Sequence, residues 1–151
     1  IEENKFLGTA GCLKMLKNET KKHFLMTNCD LVIDSDYNDF FNFHLKNKNF
    51  MTIVSAYQSF SKPYGICEIN KQGLVKNIIE KPTDSKLVST GMYIIDKRAI
   101  NLLCRIKKDH INMDEFIKFL ISENKKVMAY PIDESSWKDY GRIETITKNI
   151  Q

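Results

Sequence analysis

No apolar run in the 151 residues approaches the roughly 20 that a membrane-spanning helix needs. The first residues also lack a basic segment followed by an apolar stretch and a small-residue cleavage site. The chain is therefore read as soluble and cytoplasmic. Arginine is scarce, with only Arg98, Arg105 and Arg142, so the formal charge of +4 rests on lysine. The planar arginine fork is what recognition of nucleic-acid bases and phosphates favours. The pairs Lys21-Lys22, Lys107-Lys108 and Lys125-Lys126 carry no interleaved aromatics, so they read as solvated faces and no nucleic-acid partner is expected. Anionic small substrates stay open. No C-x-x-C pair occurs, and Cys12, Cys29, Cys67 and Cys104 have no histidine at ligand spacing. They are expected to be buried, reduced thiols. Methionine is missing from position 1, which holds Ile1, so the chain is expected to be a piece of a longer polypeptide.

What is present has the length of one domain with a real core. Phe24 to Cys29 forms an apolar run that stops at Asp30, and reads as a buried strand delivering that carboxylate to a sheet edge. Asp34, Ser35 and Asp36 can cap a helix whose Tyr37, Phe40, Phe41 and His44 fall at i, i+3, i+4 and i+7. His44 belongs to that stripe and is read as a packing residue. Met51 to Tyr57 predicts a buried strand. Tyr64 to Ile69 and Leu74 to Glu80 flank Asn70-Lys71-Gln72-Gly73, a hairpin pattern with glycine at the turn. Leu87 to Asp96 predicts a long strand with an interior glycine, followed by a short helix from Lys97 to about Cys104. Met113, Phe116, Ile117, Leu120 and Ile121 make one stripe of a helix starting at Asn112 or Asp114. Val127 to Ile132 is a further strand, and a last helix is expected through about Asn149.

Chemistry-bearing residues punctuate these elements. Leu7-Gly8-Thr9-Ala10-Gly11 reads as a loop opening a helix that carries Leu13 and Leu16, where free N–H groups can meet an anion or a carbonyl edge, or where the chain simply enters a helix. Asn28 and Asp30 at a strand end suit either an Asx turn or a ligand crevice. Glu80-Lys81-Pro82 pins a charged pair at a strand end, and Trp137-Lys138-Asp139-Tyr140-Gly141 sets a carboxylate between an aromatic and a glycine.

Taken in order, Leu-Gly-Thr-Ala-Gly, Asn-x-Asp, Tyr64-Gly65, Glu-Lys-Pro, Thr90-Gly91-x-Tyr93 and Trp-x-Asp-x-Gly-Arg142 resemble the sugar-1-phosphate nucleotidyltransferase family over nearly the whole chain. The bacterial branch for mannose-1-phosphate or amino-sugar-1-phosphate guanylyl transfer is the most similar. The resemblance implies an α/β fold, with a Rossmann-like, mixed and mostly parallel sheet flanked by helices. It implies transfer of a nucleotidyl group from a nucleoside triphosphate to a sugar-1-phosphate, with Mg²⁺ as cofactor, and allows a homo-oligomer. Carried over residue by residue, Leu7, Gly8, Thr9, Ala10 and Gly11 correspond to the base-contacting loop. Asp30 and Asp139 correspond to the two metal-binding aspartates, and Asn28 stands beside the first. Tyr64 and Gly65 match the segment whose glycine amide faces the sugar, Glu80 the acceptor of sugar hydroxyls, Lys81 the lysine on the sugar phosphate, and Thr90 and Gly91 the floor under the sugar. Cys29 departs from the family's glycine before the first aspartate.

A Gly-x-Gly-Thr-Arg-type triphosphate loop, which the family carries ahead of these motifs, has no match here. Residues 1–151 are thus expected to be the C-terminal two thirds of a single catalytic domain, incomplete at its N-terminus and inactive alone. Two other readings stand beside this one. A non-catalytic nucleotide-sugar-binding regulator fits Cys29 and the lacking loop, and a metal-dependent glycosyltransferase could use Asp34 and Asp36, which a helix cap explains better.

Overall fold

A computed structural model of the chain describes residue 3 and residues 5–141. Its centre is a sheet of four strands in the order β1 (His23–Thr27), β6 (Thr83–Asp96), β3 (Met51–Ser61) and β7 (Val127–Ile132). β6 runs antiparallel to both β1 and β3, whereas β3 and β7 are parallel. Consequently β1, β3 and β7 share one direction and β6 alone opposes them. The sheet is mixed, as expected, and the carboxyl ends of three strands meet at one edge, where open α/β sheets place ligands.

Alternation along the strands buries both faces. Met51, Tyr93 and Ile95 face Ala10, Leu13, Ile100, Leu103, Phe116 and Leu120, which come from the α1 turn (Gly8–Gly11), the 3₁₀ segment Cys12–Asn18, α3 (Lys97–Leu103) and α4 (Met113–Ser122). Val54, Met92 and Ile94 face Ile33 and Phe40 on the other side, where α2 (Tyr37–Asn47) packs. Of the predicted stripe of α2, Phe40 and His44 are buried and Phe41 half-buried, while Tyr37 in the first turn is exposed, and Asp36 accepts from the Asn38 amide at 2.8 Å. Asp36 is thereby a cap, as its position suggested. Burial, with His23 next, pulls the His44 pKa down to about 4.

Several boundaries differ from the sequence reading. Leu13 and Leu16 lie in a 3₁₀ segment rather than an α-helix. β3 continues to Ser61 and β6 begins at Thr83, because the two strands pair from Ser55↔Ser89 out to Ser61↔Thr83. That pairing satisfies backbone groups in stretches without apolar alternation, which is why pattern alone stops short of them. The hairpin forms from β4 (Ile66–Ile69) and β5 (Val75–Ile79), with Asn70 Oδ1 accepting from the Gln72 and Leu74 amides and Gly73 at φ 84°. Ile121, assigned to the buried stripe of α4, is exposed. The thiols are free as expected but not buried, since Cys29 and Cys67 are exposed and Cys12 and Cys104 half-buried. The expected final helix and Arg142 lie outside the described residues. No described helix is long and apolar enough to cross a membrane.

Candidate active site

β1 runs to Thr27, and the Asn28 amide still donates across to the Gly91 carbonyl at 3.1 Å. The chain turns through Cys29 and Asp30, both exposed, and resumes as β2 (Leu31–Ile33). β2 pairs antiparallel with β8 (Trp137–Asp139) in a separate small sheet, with Leu31 opposite Asp139. Just past that pair, the Tyr140 amide donates to the Asp30 carbonyl at 2.7 Å, and the Gly141 amide donates to Asp139 Oδ1 at 3.0 Å. Both carboxylates converge on Gly141: a Cβ there would run into Asp30 Oδ2 and come within 3.3 Å of Asp139 Oδ1. The two sequence-predicted metal aspartates are thus neighbours, both set against the Gly141 backbone, where a side chain would collide with them.

The next residues of the site come from β6. Two extra residues, Thr90 and Gly91, are inserted where the β3–β6 register jumps from Val54↔Met92 to Ser55↔Ser89. Gly91 sits at φ 90°, a conformation that a side chain disfavours. Asn28 lies directly over it, with Nδ2 at 2.7 Å from where a Cβ would be, and Leu31 closes the other side at 3.2 Å. Thr90 is buried and its hydroxyl donates to the Val54 carbonyl at 2.8 Å. Thr90 therefore fixes the bulge, while Gly91 lets the Asn28–Asp30 turn settle onto the sheet.

A second group forms on the hairpin. A Cβ on Gly65 would meet Glu80 Oε2 at 2.8 Å, so the Glu80 carboxylate rests against the Gly65 backbone as the pairing of Ile66 with Ile79 requires. Tyr64 is largely exposed. Lys81, also exposed, takes φ 44°, which turns the chain out of β5 before β6 begins.

The third group stands apart from both. Leu7 through Gly11 pack on the segment entering α4: the Leu7 carbonyl accepts from the Ile111 amide, and the Ala10 and Gly11 amides donate to the Ile111 carbonyl at 2.9 and 3.0 Å. Asn112 makes no side-chain cap on α4, and Thr9 supplies one instead, its Oγ1 accepting from the Met113 amide at 2.8 Å. Substituting Thr9→Val is expected to remove this cap and lower unfolding stability by about 1 kcal/mol, read by urea denaturation. An unchanged midpoint would show the cap to be idle.

Sequence reasoning missed Gly141 as a member of the site, although its place two residues after Asp139 was a usable signal. A cavity of about 580 Å³ between α3 and α4, lined by Leu102, Ile106, Ile111 and Phe119 among others, holds none of the expected site residues.

A mixed sheet flanked by helices, with two neighbouring carboxylates beyond the strand ends, defines an α/β protein. A nucleotidyl transferase family model matches residues 1–151, and the chain belongs to that family. It is 27% identical over 147 residues to a mannose-1-phosphate guanyltransferase of Kluyveromyces lactis, covering 93% of this chain and 40% of the relative. It is 28% identical over 154 residues to the bifunctional protein GlmU of Methanococcus vannielii, covering 94% and 35%. The chain thus spans well under half the length of these relatives. Among solved structures, HddC from Yersinia pseudotuberculosis complexed with GMP-PN superposes with a TM-score of 0.65 at 23% identity, over 98% of this chain and 63% of that one.

Proposed function

We propose that this chain carries the metal-binding and sugar-phosphate-binding part of a sugar-1-phosphate nucleotidyltransferase site. The convergence of Asp30 and Asp139 on Gly141 supports the reading most directly. Two hard carboxylate donors side by side suit Mg²⁺, which keeps waters and takes substrate phosphates rather than an all-protein cage. When bound there, Mg²⁺ supplies charge neutralisation for the reacting phosphates.

In this reaction a phosphate oxygen of the sugar-1-phosphate bonds to the α-phosphorus of the nucleoside triphosphate in line, and the α–β bridging bond breaks to release pyrophosphate. The nucleophile is already ionised near neutral pH, so no general base is required and the protein acts by positioning. Lys81 holds the sugar phosphate and offsets repulsion between the two polyanions. Glu80 accepts hydrogen bonds from sugar hydroxyls beside the Gly65 amide, with Tyr64 at the mouth. Thr90 and Gly91 form the floor, held under Asn28. Base contact from Leu7 through Gly11 falls to the first two amides of the α1 turn, Gly8 and Thr9, because those of Ala10 and Gly11 are occupied by Ile111.

Residues 1–151 contain no triphosphate loop, so incubation with Mg²⁺, each nucleoside triphosphate and a panel of sugar-1-phosphates is expected to release no pyrophosphate. The same chain joined to a family-type triphosphate-loop segment is expected to release it with one nucleotide and sugar pair. Robust release from residues 1–151 overturns the first expectation. Absence of release from an extended, folded chain overturns the proposed reaction and leaves a binding role.

A further inference from the structure

Away from the Asp30–Asp139 pair, three side chains from three elements meet: His23 at the start of β1, His44 on α2 and Asp96 at the end of β6. One donor atom from each lies within 4.8 Å of the other two. His23 and Asp96 are direct partners in the β1–β6 register, with Nδ1 3.8 Å from Oδ2, too far for a hydrogen bond. The imidazoles meet edge to face at 5.3 Å between centroids.

Two of these atoms are buried without any hydrogen-bond partner, His23 Nδ1 and His44 Nε2. Orphaned buried nitrogens are costly, and native structures rarely keep two side by side without a ligand. The surroundings also accommodate the tautomer that a metal needs. Thr52 Oγ1 accepts from Asn49 Nδ2 at 2.9 Å and lies 2.9 Å from His44 Nδ1. A hydroxyl has two acceptor sites, so His44 Nδ1–H can donate to the second, and Nε2 then keeps a lone pair. Asp96 is oriented as a carboxylate by Arg98, whose amide donates to Oδ1 at 2.7 Å and whose guanidinium donates to Oδ2 at 2.8 Å.

We propose that His23, His44 and Asp96 bind a divalent transition-metal ion, zinc by the chemistry of the donor set, which staples β1 to α2 and β6. Two imidazoles and one carboxylate are a common tetrahedral zinc set with a fourth position for water. The Thr52 contact to His44 Nδ1 and the Arg98 contacts to Asp96 are the outer partners that such ligands require. The Arg98 charge works against a dication, so the imidazoles dominate affinity. His23, with its side chain 28% exposed, gives the ion a path from solvent. Residues between β1 and β2 carry Asp30, so a staple at the other end of β1 steadies the strand that leads into the proposed catalytic pair.

The chain, stripped with chelator and dialysed, is titrated with Zn²⁺ by calorimetry and with Co²⁺ by absorption. One tightly bound metal per chain is expected, distinct from any weak occupancy of the Asp30–Asp139 pair, with a raised melting temperature and a tetrahedral cobalt spectrum free of thiolate charge transfer. His23→Gln should weaken binding by more than the roughly 10–100-fold that an outer partner costs, and Thr52→Val by about that amount. His110→Gln and Asp30→Asn should bind as the parent does. If His44→Gln fails to fold, His23→Gln still decides the matter, since His23 is the more exposed ligand. No binding, thiolate bands, undiminished affinity in His23→Gln or loss of binding in Asp30→Asn would each overturn the assignment. None of these results bears on pyrophosphate release.

Discussion

Asp30→Asn, in the chain joined to a family-type triphosphate-loop segment, is expected to cut Mg²⁺-dependent pyrophosphate release by on the order of a thousandfold, the scale of losing a preorganised charge-stabilising group. Its melting temperature should stay within about 2 °C of the parent, because an exposed side chain carries little stability. Asp30 is exposed and the fold uses its carbonyl, which accepts from Tyr140, rather than its carboxylate. Asp139→Asn should lose activity by a similar factor while keeping an amide oxygen for the Gly141 amide. If both residues serve one ion, the double variant loses no more than about either single one, as groups acting as a unit do. Multiplying losses would mean that the aspartates act separately. Retained activity in Asp30→Asn would return it to the role of a turn residue.

Gly8→Ala is expected to be strongly destabilising. Gly8 sits at φ 77°, and an added Cβ would lie 2.6 Å from the Ile111 carbonyl oxygen and 2.9 Å from its carbon. These are backbone atoms that already accept from Ala10 and Gly11, so they cannot swing aside. Conformational strain of about 1–3 kcal/mol and overpacking of about 1–3 kcal/mol combine to roughly 2–6 kcal/mol. At about 2–4 °C per kcal/mol, the melting temperature falls by about 4–24 °C. Gly73→Ala separates the two contributions, since Gly73 has φ 84° but nothing within 4 Å of an added Cβ. It should cost only the strain. Equal losses in the two variants would show that the approach of Gly8 to Ile111 is loose.

Local chemistry made much of this protein readable from sequence. The stripe Phe40 and His44, the cap Asp36 and the Asn70–Gly73 turn each act within a few residues, so their pattern is their mechanism. The order of short motifs pointed to the nucleotidyl transferase family, and the family match spans the same residues. Thr9 capping Met113 across 104 positions, β3 and β6 extending together to Ser61 and Thr83, and the meeting of His23, His44 and Asp96 were out of reach of any local rule. So was the side-by-side setting of Asp30 and Asp139, which depends on β2 and β8, strands of three residues each, too short for periodicity to reveal. Sequence by itself determined which residues have the chemistry to bind phosphate and metal, because residue type and neighbours carry that information. Only the tertiary structure decided which of them meet, because strand pairing brings distant segments together through backbone hydrogen bonds that are blind to side-chain identity.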